Sequence, residues 1–375
     1  MTSTARHVYV HVPFCARRCS YCDFAIAVRR DVPVTEFVDA IRCELVVRLG
    51  TPAHPQPIDT LYFGGGTPSH LGAAGVHAML DVMREFFSWT RDAEVTLEAN
   101  PDDVSAPATH AWRAAGITRV SLGAQSFDDD VLRWMHRTHS SEQIDRAVDI
   151  IRDTAFDSWS FDLIFAIPAD LRRDWQRDLD RALGKSPPHL SLYGLTVEPG
   201  TALGKWTERG EVMPADEHAY EAQFLGAHDA AVAAGFDHYE VSNFAKPGHH
   251  ARHNRSYWQG VPYLGVGPSA HGFDGTTRRW NRAIYAQWLA AAKSGMDPVA
   301  GSEPIGAGEE SLEAVYLGLR TQDGFHLTQT DLALVTPWIA EGWAVLERDT
   351  VRLTPLGWLR LDSLAAALTP VTRSR

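Results

Sequence analysis

The sequence predicts an α/β protein, a partial (β/α)6 barrel followed by a small winged-helix-like C-terminal domain. Two patterns predict it. From residue 8 to about residue 195, short apolar runs alternate with amphipathic stretches, as in strand–helix units repeated around a parallel sheet. From residue 304 onward the order becomes helix, helix, hairpin, helix, which resembles a winged-helix module. A chain of 375 residues has room for both, at roughly 150 residues per domain.

Apolar runs predict strands over 8–12, 60–63, 94–98, 119–122, 160–165 and 190–195. Between them, apolar residues at helical spacing, separated by Gly and Pro, predict helices over 35–49, 74–87, 107–115, 141–153 and 174–183. One clear helix follows over 215–234. The stretch after it is rich in Gly, His and aromatic residues and has no simple assignment, and irregular segments of this kind often carry function. The expected organisation is a barrel over 1–235, an irregular segment over 236–300 and a terminal domain over 301–375. That last domain is expected to hold helices over 308–319 and 327–341, a hairpin of 344–346 with 351–353, and a helix over 355–367. Its acidic residues Asp331, Glu341, Glu347, Asp349 and Asp362 outnumber Arg348, Arg352 and Arg360, so DNA binding is not supported.

The composition, 45% hydrophobic and 22% charged, excludes a disordered chain, a fibrous repeat and a disulfide mini-scaffold. With 35 basic against 47 acidic residues the net charge is −12, which disfavours a broad surface for nucleic acid or anionic lipid. The first twelve residues carry no long apolar run, so no signal peptide or spanning helix is expected there, and any membrane contact is expected to be peripheral at most. Four cysteines occur, and three of them, Cys15, Cys19 and Cys22, fall within eight residues. That cluster points to a reducing, cytoplasmic setting with a thiolate-bound metal.

The cysteines form a C-x3-C-x2-C loop directly after the first strand, at the strand end where α/β barrels gather their active sites. Thiolates suit an iron–sulfur cluster or zinc. A cubane has four irons, so three cysteines leave one open to substrate. The alternative is a Cys3His zinc site completed by His11. Arg17 and Arg18 within the loop would favour ionised thiols, whereas Cys43, on an apolar helical stripe, is expected to be a buried small hydrophobe. The second strand ends in Gly64-Gly65-Gly66-Thr67-Pro68-Ser69, where backbone can approach a ligand without side-chain obstruction.

Taken together, the cysteine loop and Gly-Gly-Gly-Thr-Pro-Ser resemble the radical S-adenosylmethionine (SAM) superfamily, in the branch that holds the oxygen-independent coproporphyrinogen oxidases and the heme chaperones (HemN and HemW). The resemblance covers nearly the whole chain. It includes Glu98-Ala-Asn-Pro101, Ser121-Leu-Gly-Ala-Gln125-Ser-Phe127, Asp162-Leu-Ile, Tyr239-Glu-Val-Ser-Asn-Phe-Ala-Lys-Pro247, His253-Asn-Arg-Ser-Tyr257-Trp258 and Gly265-Val-Gly-Pro-Ser-Ala-His271-Gly. It implies a radical-SAM barrel in which Cys15, Cys19 and Cys22 hold a [4Fe–4S] cluster whose unligated iron takes the amine and carboxylate of SAM. It further implies that Tyr9, Gly65, Gly66, Thr67, Glu98, Gln125, Arg137, Asp162 and Thr196 hold SAM, and that an external one-electron donor serves the cluster.

The oxidase pattern adds a fourth cysteine two residues after the third and has a longer segment ahead of the loop. This chain has Phe24 at that place and fourteen residues before Cys15, both on the chaperone side. His253, Tyr257 and Trp258 match the H-N-x-x-Y-W pattern associated with heme binding, with imidazole a common axial ligand and the aromatic rings offering flat apolar surface. His249, His250 and His271 are alternative ligands. The resemblance thus implies a chaperone that binds heme and hands it to acceptor hemoproteins, respiratory ones near the membrane. The other reading is an oxidase that decarboxylates coproporphyrinogen III, with Arg278, Arg279 and Arg282 able to grip propionates. Dimers occur in this family, although no heptad or apolar stripe here demands one.

Overall fold

The computed structural model describes residues 5–328 and 331–368. The outer ends of the 1–235 and 301–375 segments, and residues 329–330 of the expected 327–341 helix, lie outside the described residues. The first half contains β1 (His7–Val12), a two-residue pairing of β2 (Phe14–Cys15) with β3 (Ala27–Val28), then β4 (Gln56–Gly65), β5 (Phe87–Ala99), β6 (Arg119–Gln125), β7 (Ser158–Phe165) and β8 (His189–Gly194). β1, β4, β5, β6, β7 and β8 lie side by side in that order, all parallel. These are the expected barrel strands.

Each is followed by a helix whose apolar stripe covers the sheet. On Ser141–Thr154, for example, Ile144, Ala147, Val148 and Ile151 are buried, and Ser140 with Gln143 forms a capping box that satisfies the first turn. Ser105 and Asp174 cap Ala106–Ala115 and Trp175–Gly184 by accepting from the backbone N–H of Ala108 and Arg177. On β1, Val8, Val10 and Val12 are all fully buried between sheet and helices. One boundary differs from expectation: β5 starts at Phe87 and β4 at Gln56, so the strands pair well before their apolar runs begin. Polar residues such as Asp59, Arg91 and Asp92 hide that extension in the sequence.

The stretch expected to be irregular is not. It holds β9 (Asp237–Glu240), β10 (Asn243–Ala245), the helix Arg252–Trp258, β11 (Tyr263–Val266), β12 (His271–Phe273), β13 (Thr277–Asn281), the helix Tyr285–Lys293 and β14 (Val299–Pro304). β11 pairs parallel with β1 on its free edge, and β12, β13 and β14 continue antiparallel from there. β10 and β9 extend the opposite edge beyond β8. The result is one twelve-stranded sheet. These strands are only three to six residues long and interrupted by Gly, His and Arg, so their pairing comes from the neighbouring edge and not from an apolar run of their own.

The C-terminal part contains the helix Ala307–Arg320, β15 (Phe325–His326), the helix Leu332–Ala340, and the hairpin of β16 (Ala344–Glu347) with β17 (Thr350–Leu353), in a sheet ordered β15-β17-β16. The expected final helix is two, Pro355–Trp358 and Leu361–Leu368. The Trp358 indole donates to the Leu319 carbonyl of the Ala307–Arg320 helix at 3.0 Å, and its ring lies 4.4 Å from that of His238 on β9, a contact with the rest of the chain.

Candidate functional site

The C-terminal ends of the parallel strands open into a cavity of about 570 Å³. Cys15, Cys19 and Cys22 form one wall, and Gly65, Gly66, Thr67, Glu98, Gln125, Arg137, Asp162 and Thr196 line the remainder. Tyr9 is the one proposed cofactor residue outside this lining. It faces an adjoining cleft whose wall shares Gly65 and Glu98 with the cavity.

The cysteine loop is held by its backbone. Ala27 N–H donates to the Pro13 carbonyl at 2.7 Å and Arg29 N–H to the Cys15 carbonyl at 3.0 Å, while Ser20 is fastened to Met135 and Leu203 on both sides. Arg18 donates to the carbonyls of Cys22, Phe24 and Ile26 at 3.3 to 3.5 Å, so it works chiefly as a tie across the loop. Its charge also favours the ionised form of Cys22, in the expected direction. Burial pushes the Cys15 thiol up to about 11 despite the Thr67 hydroxyl that donates to its sulfur at 3.3 Å, and burial also raises Cys22 against the opposing pull of Phe24 N–H and Arg18. Metal binding at these thiols therefore releases protons. Arg137, donating to Asn100 Oδ1 at 2.5 Å, to the Gly123 carbonyl at 2.9 Å and to Cys19 Sγ at 3.5 Å, is the cation that reaches a thiol.

The expected alternative, zinc completed by His11, fails on hydrogen bonding. His11 is buried, its Nε2 donates to the Ala25 carbonyl at 3.1 Å and its Nδ1 accepts from the Tyr9 hydroxyl at 3.1 Å, so neither nitrogen is left for a metal. The glycine run also has an internal reason. Gly65 stands at φ +112°, and a Cβ there would sit 2.5 Å from the His11 ring; a Cβ on Gly66 would sit 2.8 Å from the backbone of Pro13 and Phe14. The run lets β4 press against the cysteine loop while Gly65 N–H reaches Glu98 Oε2 at 3.1 Å.

Glu98 also accepts from the Tyr62 hydroxyl at 2.7 Å. Burial, helped by the nearby Asp162 carboxylate and opposed by the Tyr62 and Gly65 hydrogen bonds, pushes Glu98 up to about 7. Burial likewise pushes Asp162 up to about 6, against hydrogen bonds from Ser191 and Ser121, the latter donating at 3.0 and 3.1 Å. Two half-buried carboxyls with raised pKa values, an arginine and three thiols thus converge on one cavity, an arrangement suited to a small zwitterionic ligand beside a thiolate-bound centre. Gln125 ends β6 at φ +65°, a left-handed conformation that only a few per cent of non-glycine residues adopt. Sequence reasoning passed over Tyr62, Asn100 and Ser121. The signal for Ser121 was available, because Ser121, Gly123 and Gln125 alternate onto one strand face, and all three line the cavity.

The adjoining cleft measures about 1500 Å³. Tyr257, Trp258, Tyr263 and Phe273 form its aromatic wall, with His271 and Arg278 beside them and Phe24, Val28 and Ile284 at exposed positions. His253 is absent from that lining. It is 1% exposed, with Nδ1 hydrogen-bonded to Thr60 Oγ1 at 2.7 Å, Nε2 to the Tyr257 hydroxyl at 2.8 Å, and its backbone N–H donating to Glu94 Oε1 at 2.9 Å. Burial drives its pKa down to about 3. Of the alternative histidines, His249 meets Ser158 at 3.2 Å and His250 stacks 4.3 Å from Tyr239, both away from the cleft, whereas His271 faces it. Of the three arginines, Arg278 lines the cleft and pairs with Glu313 at 2.6 Å, and Arg279 pairs with Asp297 at 2.6 Å.

Residues 9–182 match the model of the radical SAM superfamily. The heme chaperone HemW of Mycobacterium tuberculosis (strain H37Rv) is 38% identical over 370 residues, covering 96% of this chain and 94% of that protein. Mouse radical S-adenosyl methionine domain-containing protein 1, mitochondrial, is 33% identical over 391 residues, covering 98% and 88%. Among solved structures, coproporphyrinogen III oxidase HemN from Escherichia coli, a radical SAM enzyme, superposes with a TM-score of 0.81 over 98% of this chain and 91% of that one; at 21% identity this likeness speaks for the fold. No helix among the described residues is long and apolar enough to cross a membrane. The chain belongs to the radical SAM superfamily and, within it, to the HemW family.

Proposed function

We propose that this protein is a heme chaperone that binds heme and passes it to acceptor hemoproteins, and that it carries a [4Fe–4S] cluster and binds SAM. The observation that carries the reading is the aromatic-walled cleft of about 1500 Å³ set against the cysteine cavity. It exceeds the roughly 300–1,000 Å³ of ordinary small-molecule pockets and suits a broad, flat, largely apolar ligand.

The cysteine cavity fits its cofactors by donor chemistry. Three thiols share one wall, and the Nε of Arg137 is buried there without a hydrogen-bond partner. Cys15, Cys19 and Cys22 hold the cluster, and Tyr9, Gly65, Gly66, Thr67, Glu98, Gln125, Arg137, Asp162 and Thr196 hold SAM. When bound, the pair supplies one-electron reductive chemistry. The protein's own part is positional: Glu98 and Asp162 present carboxylates to a cationic ligand, Arg137 fixes Asn100 and Cys19, and the Gly65–Gly66 backbone closes the loop against β4. Tyr257 and Trp258 are the flat surface for heme, and His253 anchors Tyr257 from behind.

The reading divides the chain into a cofactor unit over 1–235, a cleft-forming segment over 236–300 and a C-terminal unit over 301–375. An external one-electron donor, respiratory acceptors, a cytoplasmic location and a homodimer are its further expectations. Titration of the purified protein with hemin tests it: a saturable shift of the Soret band is expected, and its absence overturns the reading. Incubation of the reconstituted protein with coproporphyrinogen III, SAM and reductant is expected to leave the substrate intact. Formation of protoporphyrinogen would identify an oxidase instead.

A further inference from the structure

We propose that His271, and not His253, is the axial ligand of the bound heme iron. The proposal rests on the heme-binding reading above and assigns the ligand within it.

An axial ligand needs an imidazole nitrogen with a free lone pair facing the space the macrocycle fills. Among the described residues, two histidines line the cleft, His11 and His271. Both nitrogens of His11 are engaged, by Tyr9 and Ala25. His253 lies behind the wall, and both of its nitrogens are engaged as well, by Thr60 and Tyr257. Exposing His253 would require breaking two hydrogen bonds and pulling a buried ring out of its stack on Tyr62, whose centroid is 5.0 Å away. The imidazole of His271 is solvent-exposed, and its ring is braced against Trp280 at a centroid distance of 6.1 Å and an interplanar angle of 25°.

The backbone keeps His271 in this place. The carbonyl of His271 packs so closely on Gly265 that a Cβ there would lie 1.8 Å from it, which holds β12 tightly to β11. Among the phenols of the cleft, the Tyr9 hydroxyl is engaged by His11 at 3.1 Å and the Tyr257 hydroxyl by His253 at 2.8 Å. The surroundings fit the rest of the ligand. Phe24 and Ile284, 59% and 60% exposed, give the cleft apolar lips, and Arg278, paired with Glu313 at 2.6 Å, is the cation in its lining that a carboxylate of the macrocycle could share.

The test titrates hemin into the full-length wild type, His271→Ala and His253→Gln, reading affinity, the Soret and visible bands, and the ferric spin state by electron paramagnetic resonance. The wild type is expected to show an imidazole-ligated spectrum. His271→Ala is expected to lose that signature and to bind at least tenfold more weakly, with added imidazole restoring the spectrum. His253→Gln is expected to keep the imidazole-ligated spectrum, whatever the change in affinity through Tyr257, and loss of that spectrum there would overturn the assignment. An unchanged spectrum and affinity in His271→Ala overturns the assignment while leaving the chaperone reading intact, whereas no hemin binding by the wild type overturns the chaperone reading itself. Imidazole rescue also separates a lost ligand from a misfolded variant, because free imidazole cannot refold the cleft; failure of rescue in a folded variant counts against His271.

Discussion

The two cavities share Asp23, Phe24, Ile26, Gly65 and Glu98, yet they are built on opposite principles. The cysteine cavity sits at the ends of parallel strands in the middle of the sheet, where each polar group is fixed by a neighbour: Glu98 by Tyr62 and Gly65, Asp162 by Ser121, Arg137 by Asn100 and Gly123. The cleft, about 1500 Å³ against about 570 Å³, is made by short edge strands and one short helix, with exposed apolar residues at its rim. A small charged cofactor that must be held in one orientation suits the first, because pre-oriented donors cost no reorganisation. A bulky ligand that must be released suits the second, where broad apolar contact needs few fixed polar partners.

Removing all three thiols is expected to have the largest effect. The Cys15/Cys19/Cys22 triple alanine variant is expected to retain no iron or sulfide after anaerobic reconstitution and to bind hemin as well as the wild type; parallel loss of hemin binding would mean that the cavities are not separate sites. Next comes Gly265→Ala. The added Cβ meets backbone, so a loss of about 1–3 kcal/mol is expected, read as a lower urea midpoint, together with a displaced His271 and an altered heme spectrum.

Glu98→Gln tests the cofactor cavity. Because Glu98 is held protonated up to about 7, the wild type is expected to bind SAM more tightly as the pH rises from 6 to 8, and Glu98→Gln to lose about tenfold in affinity and most of that dependence, as seen by calorimetry. The same raised pKa has a stability sign. Between 4.5 and about 7 the folded state holds a proton that the unfolded chain has released, so this carboxyl makes the fold weaker as pH climbs through that window, and Glu98→Gln should remove the trend. The smallest effect is expected for Tyr257→Phe, which removes the hydroxyl from His253: about 1 kcal/mol of stability, with hemin affinity within a few-fold of wild type.

Much of the cysteine cavity could be read without coordinates. The C-x3-C-x2-C loop, the glycines and the polar strand ends are contiguous stretches attached to strongly patterned strands, and a parallel barrel carries strand ends to one face by construction. The cleft was not legible in that way. His253-Asn-Arg-Ser-Tyr257-Trp258 names a histidine and two aromatic residues on one short helix, but helical geometry turns His253 toward Thr60 and Glu94 while Tyr257 and Trp258 line the cleft. Which imidazole faces ligand depends on partners 159 and 193 residues away in the chain.

Local periodicity and covalent spacing are sufficient to specify the barrel strands and to put three thiols in one loop after β1. Long-range pairing is what turns the stretch after residue 236 into sheet, through the free edges of β1 and β8, and what buries His253 while leaving His271 exposed. The physical reason is that a short polar strand has too little pattern of its own and takes its structure from the edge it joins, and that a histidine's role is set by which of its nitrogens the surrounding fold has already engaged.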